Sequence, residues 1–95
     1  MKKSSLSEML KETTVIEQKQ LIGTKWTCWC DEYRDQMSVE FVDNTHCVYT
    51  SQPKKFSMTY TVTEGKLLIS EIEGAFVLRG NILFNNGLPA FEKAA

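Results

Sequence analysis

The sequence predicts a mainly β protein: a small antiparallel up-and-down barrel of about eight short strands, with an N-terminal α-helix. Three observations predict this class. From Gly23 onward, apolar and polar residues alternate with the period of two that is typical of β-strands. Turn-forming pairs interrupt the alternation, and the connections are too short to hold a helix, so successive strands must be antiparallel. Closing the sheet into a barrel removes the two edges that a flat sheet would expose.

The length and composition indicate one ordinary globular domain. The chain has 95 residues, which predicts a single domain over residues 1–95, with the helix in 1–20 and the barrel in 21–95. Hydrophobic residues make up 42% and charged residues 24% of the chain, as in soluble globular proteins. The net charge of -1 provides no basic surface for a phosphate backbone, so we expect no nucleic-acid partner.

Residues 5–20 have the pattern of an amphipathic helix. Ser5 and Glu8 match a capping box, which satisfies the free amides at a helix start. The apolar stripe recurs at three- and four-residue spacing and consists of Leu6, Met9, Leu10, Thr13 and Ile16. We expect this stripe to pack on the barrel and to cover the outward-facing Trp29. A helix that binds a partner is the alternative.

The strands follow from the alternation and from the turns between them. The clearest alternation lies at residues 56–63, where apolar residues alternate with serine and threonine. Pairs such as Gln52-Pro53 and Asn86-Gly87 supply the backbone conformations that tight turns need. The predicted strands lie near residues 24–30, 36–42, 45–51, 56–63, 66–71, 75–79, 81–85 and 88–93.

The run Leu21-Ile22-Gly23-Thr24-Lys25-Trp26 opens the first strand, and strands continue to Phe91-Glu92-Lys93. With its helical lead-in, this arrangement resembles the small bacterial lipocalin-like domains. In lipocalins the tryptophan of a Gly-x-Trp motif packs across the closed end of the barrel, often under a late arginine. In this chain two residues separate Gly23 from Trp26. The resemblance implies that Trp26 closes one end, with Arg79 as its candidate partner.

The resemblance also implies binding of a small apolar ligand. Because the strands are short, the barrel should be shallow, and bulky inward side chains should fill most of it. We therefore predict a non-enzymatic protein that binds a small apolar ligand in the barrel or at its mouth. A protein-interaction module with a filled interior, either a homodimer or an inhibitor-like subunit, is the alternative. The candidate ligand-binding residues are Trp26, Met37, Phe41, Tyr49, Met58, Tyr60, Phe76 and Arg79.

Four soft metal ligands occur in the sequence: Cys28, Cys30, His46 and Cys47. Zinc binding requires that such ligands converge. His46 and Cys47 are adjacent in a strand and must point to opposite faces, so the four cannot all meet. We expect the three cysteines to be small core hydrophobes and predict neither a metal nor a cofactor.

The sequence suggests no catalytic residues. His46 is the only histidine, and no nucleophile or positioning partner is suggested by its spacing, so we predict that the protein is not an enzyme. The charged run of Asp31, Glu32, Arg34 and Asp35 is expected to be a solvated loop.

The sequence predicts a cytoplasmic protein without a membrane span. No apolar run has the length of a secretory signal, unless a targeting segment has been trimmed, and no run is long enough to cross a bilayer. Three cysteines, an odd number, fit a reducing compartment better than a set of disulfides.

Overall fold

The computed structural model describes residues 13–94, which form a closed antiparallel barrel. A 3₁₀ turn at Asp31–Tyr33 separates β2 from β3. The strands and the helix are β1 (Thr13–Thr14), α1 (Gln18–Leu21), β2 (Lys25–Cys28), β3 (Met37–Phe41), β4 (His46–Ser51), β5 (Lys54–Thr63), β6 (Lys66–Ile69), β7 (Phe76–Arg79), β8 (Ile82–Asn85) and β9 (Leu88–Lys93). The predicted mainly β class is confirmed, and each of the eight predicted strands has a counterpart in β2 to β9.

The barrel closes through the pairing of β7 with β8. The hydrogen-bonded order is β7-β6-β5-β4-β3-β2-β9-β8, and β8 then pairs back onto β7. Every pairing is antiparallel, so the strands run alternately up and down. Closure leaves β2 to β9 with neighbours on both sides, as expected from the cost of exposed sheet edges.

The predicted helix over residues 5–20 is wrong in its extent. Residues 5–12 lie outside the described part of the chain, and the helix α1 covers only Gln18–Leu21. Thr13 and Thr14 form a strand instead, paired with Arg79 and Leu78. Two features favour this pairing: threonine suits strands better than helices, and β6 pairs with β7 only between Leu67 and Phe76. The second half of β7 therefore offers a free edge, which β1 occupies.

The segment after β1 covers one end of the barrel. Ile16 is buried, and its amide donates a hydrogen bond to the carbonyl oxygen of Gly65 (2.9 Å). Leu21 is also buried, and the amide of Gly23 donates to the carbonyl oxygen of Phe41 (2.7 Å). We call this end the helix end and the opposite end, where β2 and β4 finish and β3 and β5 begin, the cleft end. No helix in residues 13–94 is long and apolar enough to span a membrane.

Alternation along the strands builds the core. In β6, Leu67 and Ile69 are buried while Lys66 and Leu68 are exposed. The fully buried Val39, Phe41 and Leu83 belong to the same interior cluster. The deep interior is thus filled by side chains, as the small size of an eight-stranded barrel dictates.

Candidate functional site

The structure divides the eight predicted ligand-binding residues by depth. Trp26, Phe41 and Tyr60 are buried towards the helix end. The ring of Phe41 meets the ring of Tyr60 edge-on, with centroids 4.9 Å apart. The indole nitrogen of Trp26 donates to the hydroxyl oxygen of Thr24 (2.9 Å). These three side chains are part of a packed core.

A cleft of about 410 Å³ lies at the opposite end. Three predicted residues, Tyr49, Met58 and Phe76, line it from β4, β5 and β7. Tyr49 and Met58 are half-buried and remain partly accessible to solvent, whereas Phe76 is only 1% exposed. The other lining residues are Glu71, Ile72, Glu73, Asn85, Ala90 and Phe91.

Alternation does not predict two of the cleft walls. Ile72 lies in the loop between β6 and β7, where strand periodicity carries no information. Ala90 lines the cleft because of a bulge: Leu83 pairs with Phe91 but Phe84 pairs with Pro89. The extra residue lets both Ala90 and Phe91 face the cleft. Pro89 is the only sequence signal for this bulge, since it lacks an amide to donate to a regular ladder.

Two predicted site residues lie elsewhere. Met37 is half-buried at the start of β3, at the cleft end, but it does not line the cleft. Arg79 points out of the barrel, where its guanidinium lies over the ring of Phe84, 5.1 Å from the centroid. The strand parity of β7, which places Phe76 and Leu78 inside, puts Arg79 outside. Arg79 therefore does not lie under Trp26 in the interior.

Two further depressions have walls of mixed polarity. One of about 470 Å³ lies on the outer faces of β2 to β5 and includes Lys25, Glu40 and Lys55. The other, about 350 Å³, lies at the helix end between Leu21, Trp26 and Lys93. Charges of both signs line the outer depression, so it has no clear preference for a charged ligand.

The four candidate metal ligands do not meet. Cys28 lies at the cleft end of β2, whereas His46 and Cys47 begin β4 at the helix end. Among residues 13–94, no three or more His, Cys, Asp or Glu side chains form a group that could hold a metal ion. The expectation that all three cysteines are core residues is wrong for Cys30, which is exposed; Cys28 is half-buried and Cys47 is buried. Burial raises the pKa of the Cys47 thiol to about 11.

His46 has a carboxylate partner that its spacing did not suggest. Its Nδ1 lies 3.1 Å from Oδ1 of Asp43 and 2.9 Å from the hydroxyl oxygen of Thr45. The same Asp43 carboxylate accepts the backbone amides of Thr45 and His46, which lowers its pKa to about 2. Since the hydroxyl and the carboxylate share one ring nitrogen, the histidine cannot relay a proton between them. The arrangement is that of a turn cap.

The charged loop after β2 is tied to the barrel. Arg34 binds the Glu92 carboxylate through Nη1 (2.8 Å) and the Asp31 carboxylate through Nη2 (3.0 Å). Its Nη2 also donates to the carbonyl oxygen of Trp29 (3.3 Å). Hydrogen bonding to Glu92 is the main cause that raises the pKa of Arg34. Trp29 is half-buried beside this loop, and the stripe expected to cover it lies largely outside the described residues.

Comparisons with known proteins place the chain in no family. No family model, no curated protein and no solved structure matches it. The interpretation of the cleft therefore depends on its own geometry and chemistry.

Proposed function

We propose that this protein is a non-enzymatic, lipocalin-like barrel that binds a small apolar ligand in the cleft at one mouth. The observation that carries the proposal is the cleft lined by Tyr49, Met58 and Phe76. Its volume of about 410 Å³ lies in the range of roughly 300 to 1,000 Å³ that small-molecule sites occupy. Aromatic, methionine and aliphatic walls with a few polar groups at the edge are the usual lining of such sites.

The shape of the interior limits the ligand. Val39, Leu67 and Leu83 have no exposed surface, so the interior below the cleft is occupied. A long acyl chain would require removal of these side chains, at a cost of about 2 to 5 kcal/mol for each large residue displaced. A compact body of one or two rings matches the cleft better. Met58 is flexible and can adapt its side chain to such a ligand.

Cytoplasmic location is part of the same proposal. Cys28, Cys30 and Cys47 are free, and Cys30 is exposed to solvent. Exposed free thiols are typical of reducing compartments, because thiols in oxidising compartments form disulfides.

A second candidate function is protein interaction, as a homodimer or an inhibitor-like subunit. Phe56 is 43% exposed and Leu88 is 69% exposed, and both lie on strands that begin at the cleft end. The ring of Phe56 stacks on that of Tyr49, with centroids 6.2 Å apart. A partner that covers Phe56 and Leu88 would occupy the same end of the barrel as a ligand.

Titration of a neutral fluorescent hydrophobe, N-phenyl-1-naphthylamine, tests the ligand proposal. In the variant Ala90→Phe, the larger side chain fills the cleft, and we expect affinity to fall by at least about tenfold. Val42→Ala is the control, because it removes an exposed apolar side chain at the helix end and should leave affinity unchanged. Circular dichroism checks that both variants fold.

Amide chemical-shift changes in the unaltered protein provide a measurement that needs no variant. Changes concentrated at Tyr49, Met58, Phe76 and Phe91 would support the proposal. An absence of saturable binding, or changes centred on the helix end, would contradict it. Native mass spectrometry addresses the second candidate: a stable dimer that dissociates in Phe56→Ser and Leu88→Ser would favour protein interaction.

A further inference from the structure

Two carboxylates lie on the rim of the mainly apolar cleft. Glu71 and Glu73 are exposed, and both line the cleft together with Ile72. The other walls include the aromatic, methionine and alanine side chains of β4, β5 and β9. A ligand that lies on these walls would present its outer end to the two carboxylates.

The loop that carries the two glutamates is anchored on both sides. On the β5 side, the amide of Ser70 donates to the carbonyl oxygen of Thr59 (2.9 Å), and the Ser70 hydroxyl accepts the amide of Thr59 (3.1 Å). On the β8 side, the side-chain amide of Asn85 donates to the carbonyl oxygen of Glu73 (3.0 Å). These bonds hold the rim in place over the cleft.

The backbone of Glu71 departs from the usual conformations of a glutamate. Its φ of 67° lies in the left-handed region, which side chains with a Cβ rarely adopt. The amide of Ile72 donates to the carbonyl oxygen of Ile69 (3.1 Å), so the turn places Ile72 against the cleft and Glu71 beside it. The conformation thus sets a charged and an apolar side chain on adjacent parts of the same rim.

Among residues 13–94, no basic side chain forms an ion pair with the rim. Arg34 is engaged with Glu92 and Asp31. Lys54 begins β5 at this end but does not line the cleft. In the described residues, neither Glu71 nor Glu73 has an ion-pair partner. Within the described part of the chain, the negative charge of the rim is therefore available to a ligand.

We propose that the cleft takes a small amphipathic cation: an aryl or alkyl ammonium whose apolar body lies on Tyr49, Met58 and Phe76 and whose charged head lies between Glu71 and Glu73. The inference rests on the proposed function, to which it adds the charge of the ligand. The two carboxylates attract the charged head of a ligand whose body lies on the apolar wall, although each exposed charge pair is individually weak.

Three naphthalene probes of nearly equal shape test the charge preference. They are 1-naphthylmethylammonium, the neutral 1-naphthylmethanol and the anion 1-naphthoate, each titrated at low salt by calorimetry or NMR. We expect the cation to bind about five- to tenfold more tightly than the alcohol, since exposed charge pairs are individually weak. The anion should bind most weakly. Raising the salt concentration to about 0.5 M should reduce the preference in the unaltered protein.

Variants assign the preference to the rim. In Glu71→Gln with Glu73→Gln, the cation and the alcohol should bind equally, while the affinity for the alcohol changes by less than about twofold. Glu64→Gln is the matched control, because Glu64 also has a positive φ (54°) but lies in the turn between β5 and β6, at the helix end. It should retain the preference for the cation.

The outcomes separate the two proposals. If the cation and the alcohol bind equally in the unaltered protein, or the anion binds most tightly, the charge inference is wrong and the ligand proposal stands. If Glu71→Gln with Glu73→Gln still binds the cation more tightly than the alcohol, the two carboxylates are not the cause of the preference. If none of the probes binds, both proposals fail.

Discussion

The phenolic hydroxyl of Tyr60 donates a hydrogen bond to the backbone carbonyl oxygen of Asp43, with an O–O distance of 2.6 Å. Tyr60 is 4% exposed, so this bond connects the core of the barrel to the turn between β3 and β4. Burial and the Asp43 carboxylate raise the pKa of Tyr60, which keeps the hydroxyl protonated as a donor. The turn that carries His46 is thus held from inside by a tyrosine and from outside by the Asp43 side chain.

Tyr60→Phe should destabilise the protein by about 1 kcal/mol, because the carbonyl oxygen of Asp43 loses its donor while the ring packing on Phe41 remains. Urea denaturation measures the change in the free energy of unfolding. Tyr33→Phe is the control, since Tyr33 is 47% exposed and should change stability little. Equal stabilities for Tyr60→Phe and the unaltered protein would show that the hydrogen bond contributes nothing net.

The Asp43 carboxylate should make stability depend on pH in the acid range. Its folded pKa of about 2 lies below the ordinary value of 3.8, because the amides of Thr45 and His46 bind the ionised form. The ionised carboxylate therefore stabilises the fold fully above its unfolded pKa, and this stabilisation is lost as the pH falls through about 4 to about 2. Urea midpoints for the unaltered protein and Asp43→Asn should differ most near neutral pH and converge towards pH 2. A difference that stays constant with pH would contradict this account.

Gly74→Ala should destabilise the protein more than Gly87→Ala. Both glycines have positive φ (84° and 79°), so each alanine incurs a backbone cost of about 1 to 2 kcal/mol. A Cβ at Gly74 would lie 2.9 Å from Oδ1 of Asn85, whereas at Gly87 it would meet no atom within 4 Å. We expect the difference between the two free energies of unfolding to be about 1 kcal/mol, the usual loss when a hydrogen bond such as that from Asn85 to Glu73 is broken. Equal losses would show that the Asn85 side chain moves aside freely.

The three thiols should react at different rates in the folded protein. Cys30 is exposed and should react first with a thiol reagent, with the half-buried Cys28 slower. Cys47 is fully buried with a pKa of about 11, so very little thiolate is present and the sulfur is inaccessible. Mass spectrometry of peptides after timed labelling should detect labelled Cys47 only when denaturant unfolds the barrel. Rapid labelling of Cys47 in native buffer would show that β4 opens locally.

Much of the fold could be predicted because its signals are local. The alternation around Met58 and Tyr60 identifies both the strand and its inward face, and it survives in the structure because strand geometry fixes which side chains share a face. The turn at Asn86-Gly87 was also predictable, since both residues adopt the positive φ that tight turns need.

The depth of each side chain along the barrel axis was decided by the tertiary structure. Trp26 and Tyr49 both point inwards, yet one is packed at the helix end and the other lines the cleft, because register and closure set their depth. The strand at Thr13–Thr14 formed where a helix was predicted, since the open edge of β7 offered a partner that no local pattern reveals. Likewise, the bulge at Ala90 arises from the pairing between β8 and β9. The position of the rim at Glu71 depends on the loop that Asn85 anchors. The sequence by itself therefore determined β2 to β9, their up-and-down order and most of their inward faces. Contacts between residues distant in the chain decided the pairing of β1 and which inward side chains became core and which became a cleft.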